Sequence, residues 1–457
     1  MSKVVFRRRV IPKGWILKTI GSITKTGSGG TPLSSNKEFY ERGNIPWINS
    51  GEVGQNVINS PQKFITKKGL DNSSAKIFPV DTILIALYGA TAGRVSKLGI
   101  QASTNQAVCG IYPNSNFNSF FLKYYLDTLY KYLVGVSTGS ARDNLSQDGI
   151  KKLEVPFPNI KVQNQIAKIL SDLDAKIEVN NKINEELEAL AKTIYDYWFV
   201  QFDFPDANGK PYKASGGKML YNKNLNKEIP EGWKDKTIAD WIENDKSGDW
   251  GKESKQGNYT EKVSCIRGAD INGLNGNGEV KAPERFILEK NTHKLLEHGD
   301  LIIEISGGSP TQSTGRMAFI TQETLERFEN PLICSNFCKA VTLKDETYLY
   351  NFVYQWNRLY DAGVLFGWEG KTSGIKNLLF ESFVTNYKTV FPQKNIVEKF
   401  YQKVKPLHAK KQKNLQENQK LAELRDWLLP MLMNGQVTVK EAQEHINQAA
   451  EPQEKYQ

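Results

Sequence analysis

Only four cysteines, Cys109, Cys265, Cys334 and Cys338, occur in 457 residues. That is too few for a disulfide framework to organise a chain of this length. Cys334 and Cys338 stand four apart, and two of the four histidines, His293 and His298, stand five apart. Neither spacing matches a common zinc signature, so the cysteines are expected in the core and no metal site is expected. Four scattered histidines also give no Ser/His/Asp or Cys/His arrangement for nucleophilic catalysis. The basic opening from Met1 to Val10 is followed by no apolar signal core, and nowhere is there a run long enough, about 18 apolar residues, to span a membrane. The expectation is a cytoplasmic protein.

Other catalytic signatures are missing as well. GWEGKTS, from Gly367, contains the GKT of a phosphate loop, but Leu365 occupies the position of its first glycine. A flexible loop near phosphates fits this stretch better. Asp300 and Glu304 have a nuclease-like spacing, yet Ser306 stands where the lysine belongs. No glycine-rich adenosylmethionine loop is present, and Asn330-Pro331 is followed by Leu332 instead of a second proline. No catalysis by this chain and no cofactor within it are expected.

What the chain does contain is a duplication. IPKGWILKTI, from Ile11, returns as IPEGWKDKTI from Ile229 with seven of ten positions identical. Phe157-Pro158 followed by a long helical pattern returns as Phe391-Pro392 with its own helix. One repetition of a unit this large means two similar modules, not a solenoid. Further landmarks match: Phe64-Ile65 with Phe286-Ile287, Gly93-Arg94 with Gly315-Arg316, Thr104-Asn105 with Ser335-Asn336, and Asn144-Leu145 with Asn377-Leu378. Short apolar runs, Thr82 to Leu87 and Leu301 to Ile305, predict buried strands after the turns at Asp81 and Asp300. Helical stretches are expected near Ser119 to Leu133 and Tyr348 to Leu359. The heads therefore read as mixed, loop-rich α/β modules. Residues 1–158 hold 20 Lys and Arg against 9 Asp and Glu, whereas residues 205–392 hold 24 against 25. The first head carries the charge expected for contact with a polyanion, and the second needs a local basic patch.

The helices have the clearest pattern. Ile166, Leu170, Leu173, Ile177, Asn180, Asn184, Leu187, Ala191, Ile194 and Trp198 follow a spacing of four and three, the seam of a coiled coil. An offset of 234 gives the second seam, from Phe400 through Asn414 and Asn418 to Leu432. Asparagines at the same two places in each seam read as register pins. Antiparallel pairing sets Asn180 against Asn418, Asn184 against Asn414, Ile166 against Leu432 and Trp198 against Phe400. Pro406 predicts a kink or restart, since proline inside a helix costs about 3 kcal/mol. Asn434-Gly435 predicts the stop. The fold class is α+β: two mixed α/β heads and two long helices forming an antiparallel coiled coil, with a pseudo-two-fold internal repeat. Its boundaries are residues 1–158 for the first head, 159–204 for the central helix and 205–392 for the second head. Residues 393–435 form the second helix and 436–457 a polar tail.

IPKGW at the start, GGTP from Gly29, PWINSGEV from Pro46, YGATAGR from Tyr88, NQA from Asn105, the segment from Asn144 to Pro158 and WFVQFDF from Trp198 together resemble the specificity subunits of type I restriction–modification systems. IPEGW, SGDWG from Ser247 and LLPMLMNG from Leu428 are weaker versions in the second half. The resemblance implies two target recognition domains, each reading half of a bipartite sequence in double-stranded DNA. It implies helices that set the gap and dock two modification (methyltransferase) subunits, which carry S-adenosylmethionine and methylate adenine. Restriction (motor-nuclease) subunits are the further partners it allows.

Two different half-sites are not read by identical side chains, so the readers are expected in the divergent loops. In the first head these are Lys25, Ser34, Ser35, Asn36, Lys37 and Arg142; in the second, Lys246, Trp250, Lys252, Lys255, Lys371 and Lys376. Arg94 and Arg316, common to both heads, are expected to anchor phosphates, which position without specifying. The rival reading is a two-headed DNA-binding protein that works without methyltransferase partners.

Overall fold

The computed structural model describes residues 11–138, 145–307, 311–372 and 375–450. The chain divides into two compact units, Met1–Ile177 with Gln419–Gln457, and Glu178–Asn418. Both division points fall inside the long helices, Ile160–Tyr195 and Lys394–Met433. Each helix therefore gives one half to each unit.

In the first unit, strand Ile16–Thr19 pairs antiparallel with Glu154–Phe157, Ile16 opposite Phe157. A five-stranded sheet runs in the order Thr26–Ser28, Val108–Ile111, Ile83–Ala86, Val95–Leu98, Val57–Ile58. A second sheet runs Lys63–Ile65, Ile45–Ile48, Ala102–Thr104, Ile77–Phe78. The central strand Ile83–Ala86 is apolar and wholly buried, which is why it reads as a continuous run and not as an alternation. Helix Ser119–Thr128 closes this head.

The second unit repeats the scheme. Lys234–Thr237 pairs with Lys388–Phe391, Lys234 opposite Phe391, so the duplicated IPxGW segments lead into the same strand pair in the same register. One sheet runs Ile242–Ser247, Cys338–Leu343, Leu301–Glu304, Met317–Phe319, and another Glu284–Leu288, Tyr259–Ile266, Leu332–Cys334. Helix Leu349–Asp361 closes it. The GKT stretch is no flexible loop: Glu369–Thr372 and Ile375–Leu378 pair as antiparallel strands.

Backbone hydrogen bonds give the equivalence of the heads residue by residue. Gly30 N–H donates to Thr104 O at 2.8 Å, and Asp249 N–H to Cys334 O at 2.9 Å. Asn105 N–H donates to Ile48 O at 3.0 Å, and Ser335 N–H to Ile266 O at 2.8 Å. Leu87 N–H donates to Ala107 O at 2.8 Å, and Ile305 N–H to Phe337 O at 2.9 Å. Asn105 thus takes the place of Ser335, and Gln106 that of Asn336, one residue away from the match of identical letters. Asp81 (φ +68°) likewise answers Gly299 (φ +91°), and Asp300 answers Thr82. Matching by identical letters misplaces these positions, whereas the shared backbone hydrogen bonds align them. At Gly29 and Gly248 the chain crosses the neighbouring strand so closely that a Cβ would lie 2.1 Å from Thr104 Oγ1 and 2.0 Å from Ser335 O. Only glycine fits there.

The helices pair antiparallel. In the second unit Asn180 Nδ2 donates to Asn418 Oδ1 at 2.9 Å, Asn414 Nδ2 donates to Asn184 Oδ1 at 2.9 Å, and the rings of Trp198 and Phe400 lie 6.0 Å apart. In the first unit Ile166, Leu170 and Leu173 share a core with Leu428 and Leu432, and Arg425 Nη1 meets Asp174 Oδ1 at 2.8 Å. The helix Lys394–Met433 continues through Pro406 without the expected restart. Gln402 and Pro406 are both exposed, so water can satisfy the carbonyl that loses its donor. Gly435 (φ +73°) ends the helix against Pro12. The expected polar tail instead contains helix Val439–Ala450, whose Ala442 is buried and whose Val439 and Ile446 pack on the first core.

Candidate nucleic-acid interface

The two shared arginines face different surroundings. Ala86 N–H donates to Arg94 O at 3.1 Å and Glu304 N–H to Arg316 O at 2.9 Å, so Ala86 and Glu304 are equivalent positions. Glu304 takes Arg316 in a bidentate pair, Nε to Oε2 at 2.8 Å and Nη2 to Oε1 at 2.7 Å, and both side chains are nearly buried. That charge is neutralised internally. Arg94 has alanine at the corresponding place; it is exposed, and its guanidinium lies 4.2 Å over the Tyr130 ring. No carboxylate pairs with it among the described residues. Of the two, Arg94 is the cation open to a phosphate.

In the first head Lys25, Ser34, Ser35 and Lys37 are exposed. Asn36 is half-buried, and its side chain caps the turn Lys37–Phe39 by accepting from Glu38 N at 3.1 Å. Its position has a structural cause apart from any base contact. Arg142 lies outside the described residues.

In the second head Lys246 is drawn inward, donating to Asp300 Oδ2 at 3.1 Å and to Leu295 O at 3.2 Å. Lys376 pairs with Glu369 at 3.2 Å and donates to Gln312 O. These two lysines hold the head together. Trp250, Lys252 and Lys255 are exposed on one loop. The Arg285 guanidinium, not anticipated from sequence, lies 4.2 Å over the Trp250 ring and pairs with Glu253 at 3.2 Å; Lys252 Nζ is 5.6 Å from the Tyr259 ring. Nothing local in the sequence reveals Arg285, which comes from the neighbouring strand. Lys371 lies in strand Glu369–Thr372, and its side chain is outside the description.

The second unit also buries a titratable cluster on the helix pair. The Tyr354 hydroxyl donates to Glu188 Oε1 at 3.0 Å and lies 3.0 Å from His408 Nε2, whose ring stacks on Tyr350 at 4.8 Å. Burial pushes the pKa of His408 down to about 4, Lys411 assisting and Glu188 opposing. Burial also opposes the charge on Glu188, but Lys411, 2.8 Å away, and the Tyr354 hydroxyl outweigh it and hold that carboxyl below its usual range.

All four cysteines are free and buried, and burial pushes the thiols of Cys109, Cys265 and Cys338 up to about 12. Such thiols are inert core groups. Among the described residues no cluster of His, Cys, Asp or Glu could hold a metal, and no helix is long and apolar enough to cross a membrane.

Residues 12–189 match the family described as type I restriction modification DNA specificity domain. The chain is 28% identical to the type I restriction enzyme MjaIX specificity subunit of Methanocaldococcus jannaschii, over 94% of this chain and 95% of that one. It is 27% identical to the EcoR124I/EcoR124II specificity subunit of Escherichia coli over 41% of this chain and 48% of that one. Its fold is similar to the crystal structure of the type I restriction–modification S subunit from M. genitalium, with a TM-score of 0.54 and 19% identity over 92% and 96% of the two chains. With two heads on one strand register, the chain is similar end to end to specificity subunits of type I restriction–modification systems, and its residues 12–189 match their DNA specificity domain.

Proposed function

We propose that each head reads one half of a bipartite target in double-stranded DNA, and that the paired helices set the gap between the halves. The chain is the DNA-recognising, non-catalytic subunit of its system. The observation that carries the two-reader proposal is the same-register duplication, in which matching frames hold unlike loops. Arg94, with Lys25 and Lys37, supplies phosphate contacts in the first head; Trp250, Lys252 and Lys255 offer an aromatic and basic edge in the second.

The helices also dock two modification subunits, which bring S-adenosylmethionine and methylate adenine; restriction subunits join that assembly in the cytoplasm. An exposed apolar stripe supports this. Val179, Ile183, Leu190 and Tyr197 are 51%, 38%, 49% and 50% exposed, and their spacing of four, seven and seven puts them on one helix face away from the asparagine seam. Water is a poor partner for such a stripe. Ile183→Asp with Leu190→Asp is expected to abolish co-purification with the modification subunit while DNA binding by the chain persists. If the unaltered chain binds DNA and captures no modification subunit, the stand-alone reading replaces this one.

A further inference from the structure

We infer that the bases of the second half-site are read in a cleft of the second head, with Asn336 as the side chain that recognises an adenine and Trp250 and Phe337 as its apolar walls. The inference deepens the half-site proposal and rests on it.

The cleft has a volume of about 600 Å³, and Trp250, Asn336 and Phe337 line it together with Arg267, Ser306 and Ile375. Trp250, Phe337 and Ile375 are 37%, 53% and 41% exposed. Three large apolar side chains left a third to a half exposed around one opening forgo part of the stabilisation that burial brings. Asn336 is exposed between them. Its amide presents a donor and an acceptor side by side, the pair that matches the N6 and N7 edge of adenine, while apolar walls suit the methyl group of the paired thymine.

The first head shows that these places, and not the cleft alone, carry the message. By the backbone register, Thr31 stands at the place of Trp250 and Gln106 at that of Asn336. There the chemistry is polar: the Thr31 hydroxyl hydrogen-bonds the Gln106 side chain, and both are exposed. Ala107, buried, answers the exposed Phe337. The main-chain frame is kept even to the second hydrogen bond beneath it. Trp47 Nε1 donates to Gly30 O at 3.0 Å, and Cys265 Sγ, at the equivalent place, donates to Asp249 O at 3.7 Å.

The floor is rebuilt as a set. Glu304 replaces Ala86, and Gly268 replaces Ser50; a Cβ at Gly268 would lie 2.6 Å from Glu304 Oε1. Equivalent backbone positions with different exposed side chains, Thr31 and Gln106 in one head and Trp250 and Asn336 in the other, are what two readers of different sequences require.

The test uses the full chain co-produced with the modification subunit, and selects bound sequences from a randomised duplex pool. Asn336→Ala is expected to lose about tenfold or more of the preference at one base pair of one half-site and to leave the other half-site unchanged. Gln106→Ala is expected to do the reverse. Both residues are exposed, and urea midpoints equal to the parent's confirm that folding is intact. A bipartite parent motif that neither variant alters overturns the cleft and spares the half-site proposal, as does a change by both variants in the same half-site. A parent chain that selects no bipartite motif overturns both.

Discussion

Arg94 and Arg316 carry the same letter after the same glycine, and one residue on the adjoining strand separates their fates. Ala86 leaves Arg94 facing solvent; Glu304 claims Arg316. Arg94→Ala is expected to weaken binding to all duplexes alike and to lower the dependence of log K on log salt by about one, measured by titration at several salt concentrations. Arg316→Ala is expected to act on folding instead, lowering stability by about 3–5 kcal/mol because Glu304 is left buried without its partner. The sequence showed the pair of arginines but hid the carboxylate twelve residues away, whose proximity exists only through strand pairing. His408 was equally hidden. Its folded pKa of about 4 lies below the unfolded value, so between roughly pH 6.5 and 4 the unfolded chain binds the extra proton and stability falls as pH falls. The loss approaches about 3 kcal/mol at the lower end. His408→Gln is expected to flatten the urea midpoint against pH across that window relative to the parent; an unchanged slope would contradict the assignment.

At the scale of elements, the helices were the most legible part of the chain. A seam of period 3.5 needs no tertiary information, and the matching asparagines gave the direction and register of pairing before any coordinates. Their contacts at 2.9 Å follow that register. Asn184→Leu is expected to cost about 1–3 kcal/mol by stranding the Asn414 amide, while Asn184→Leu with Asn414→Leu is expected to recover most of it; urea unfolding of the single and double variants measures the difference. Pro406 does not restart the helix, because its cost depends on which face it occupies. On the solvent face the helix tolerates it. The C-terminal helix was missed because its apolar residues, Val439, Ala442 and Ile446, are few and their partners lie on a distant part of the chain. The match of Gly93-Arg94 with Gly315-Arg316 holds, whereas those of Asn105 with Asn336 and of Asp81 with Asp300 err by one residue, and the backbone hydrogen bonds restore the count.

For the whole molecule, duplication and charge were readable, whereas the reading surface was not. Most of the loop lysines proposed from sequence are exposed, but Lys246 and Lys376 serve internal pairs, and the cleft around Asn336 is assembled from separate segments between Trp250 and Ile375. Deleting four residues from each helix between the heads shortens the pair by about 6 Å, close to two base pairs at 3.4 Å each. The expected result is a gap reduced by about that amount with both half-sites unchanged, read by sequence selection. The central claim is that two different readers occupy one frame. Its most direct test replaces residues 238–387 by residues 20–153, joining at the strand pairs that share a register, and determines the sequence the product selects. Two copies of the first half-site are predicted. Retention of the original second half-site, in a chain that has lost the second head, would contradict the account.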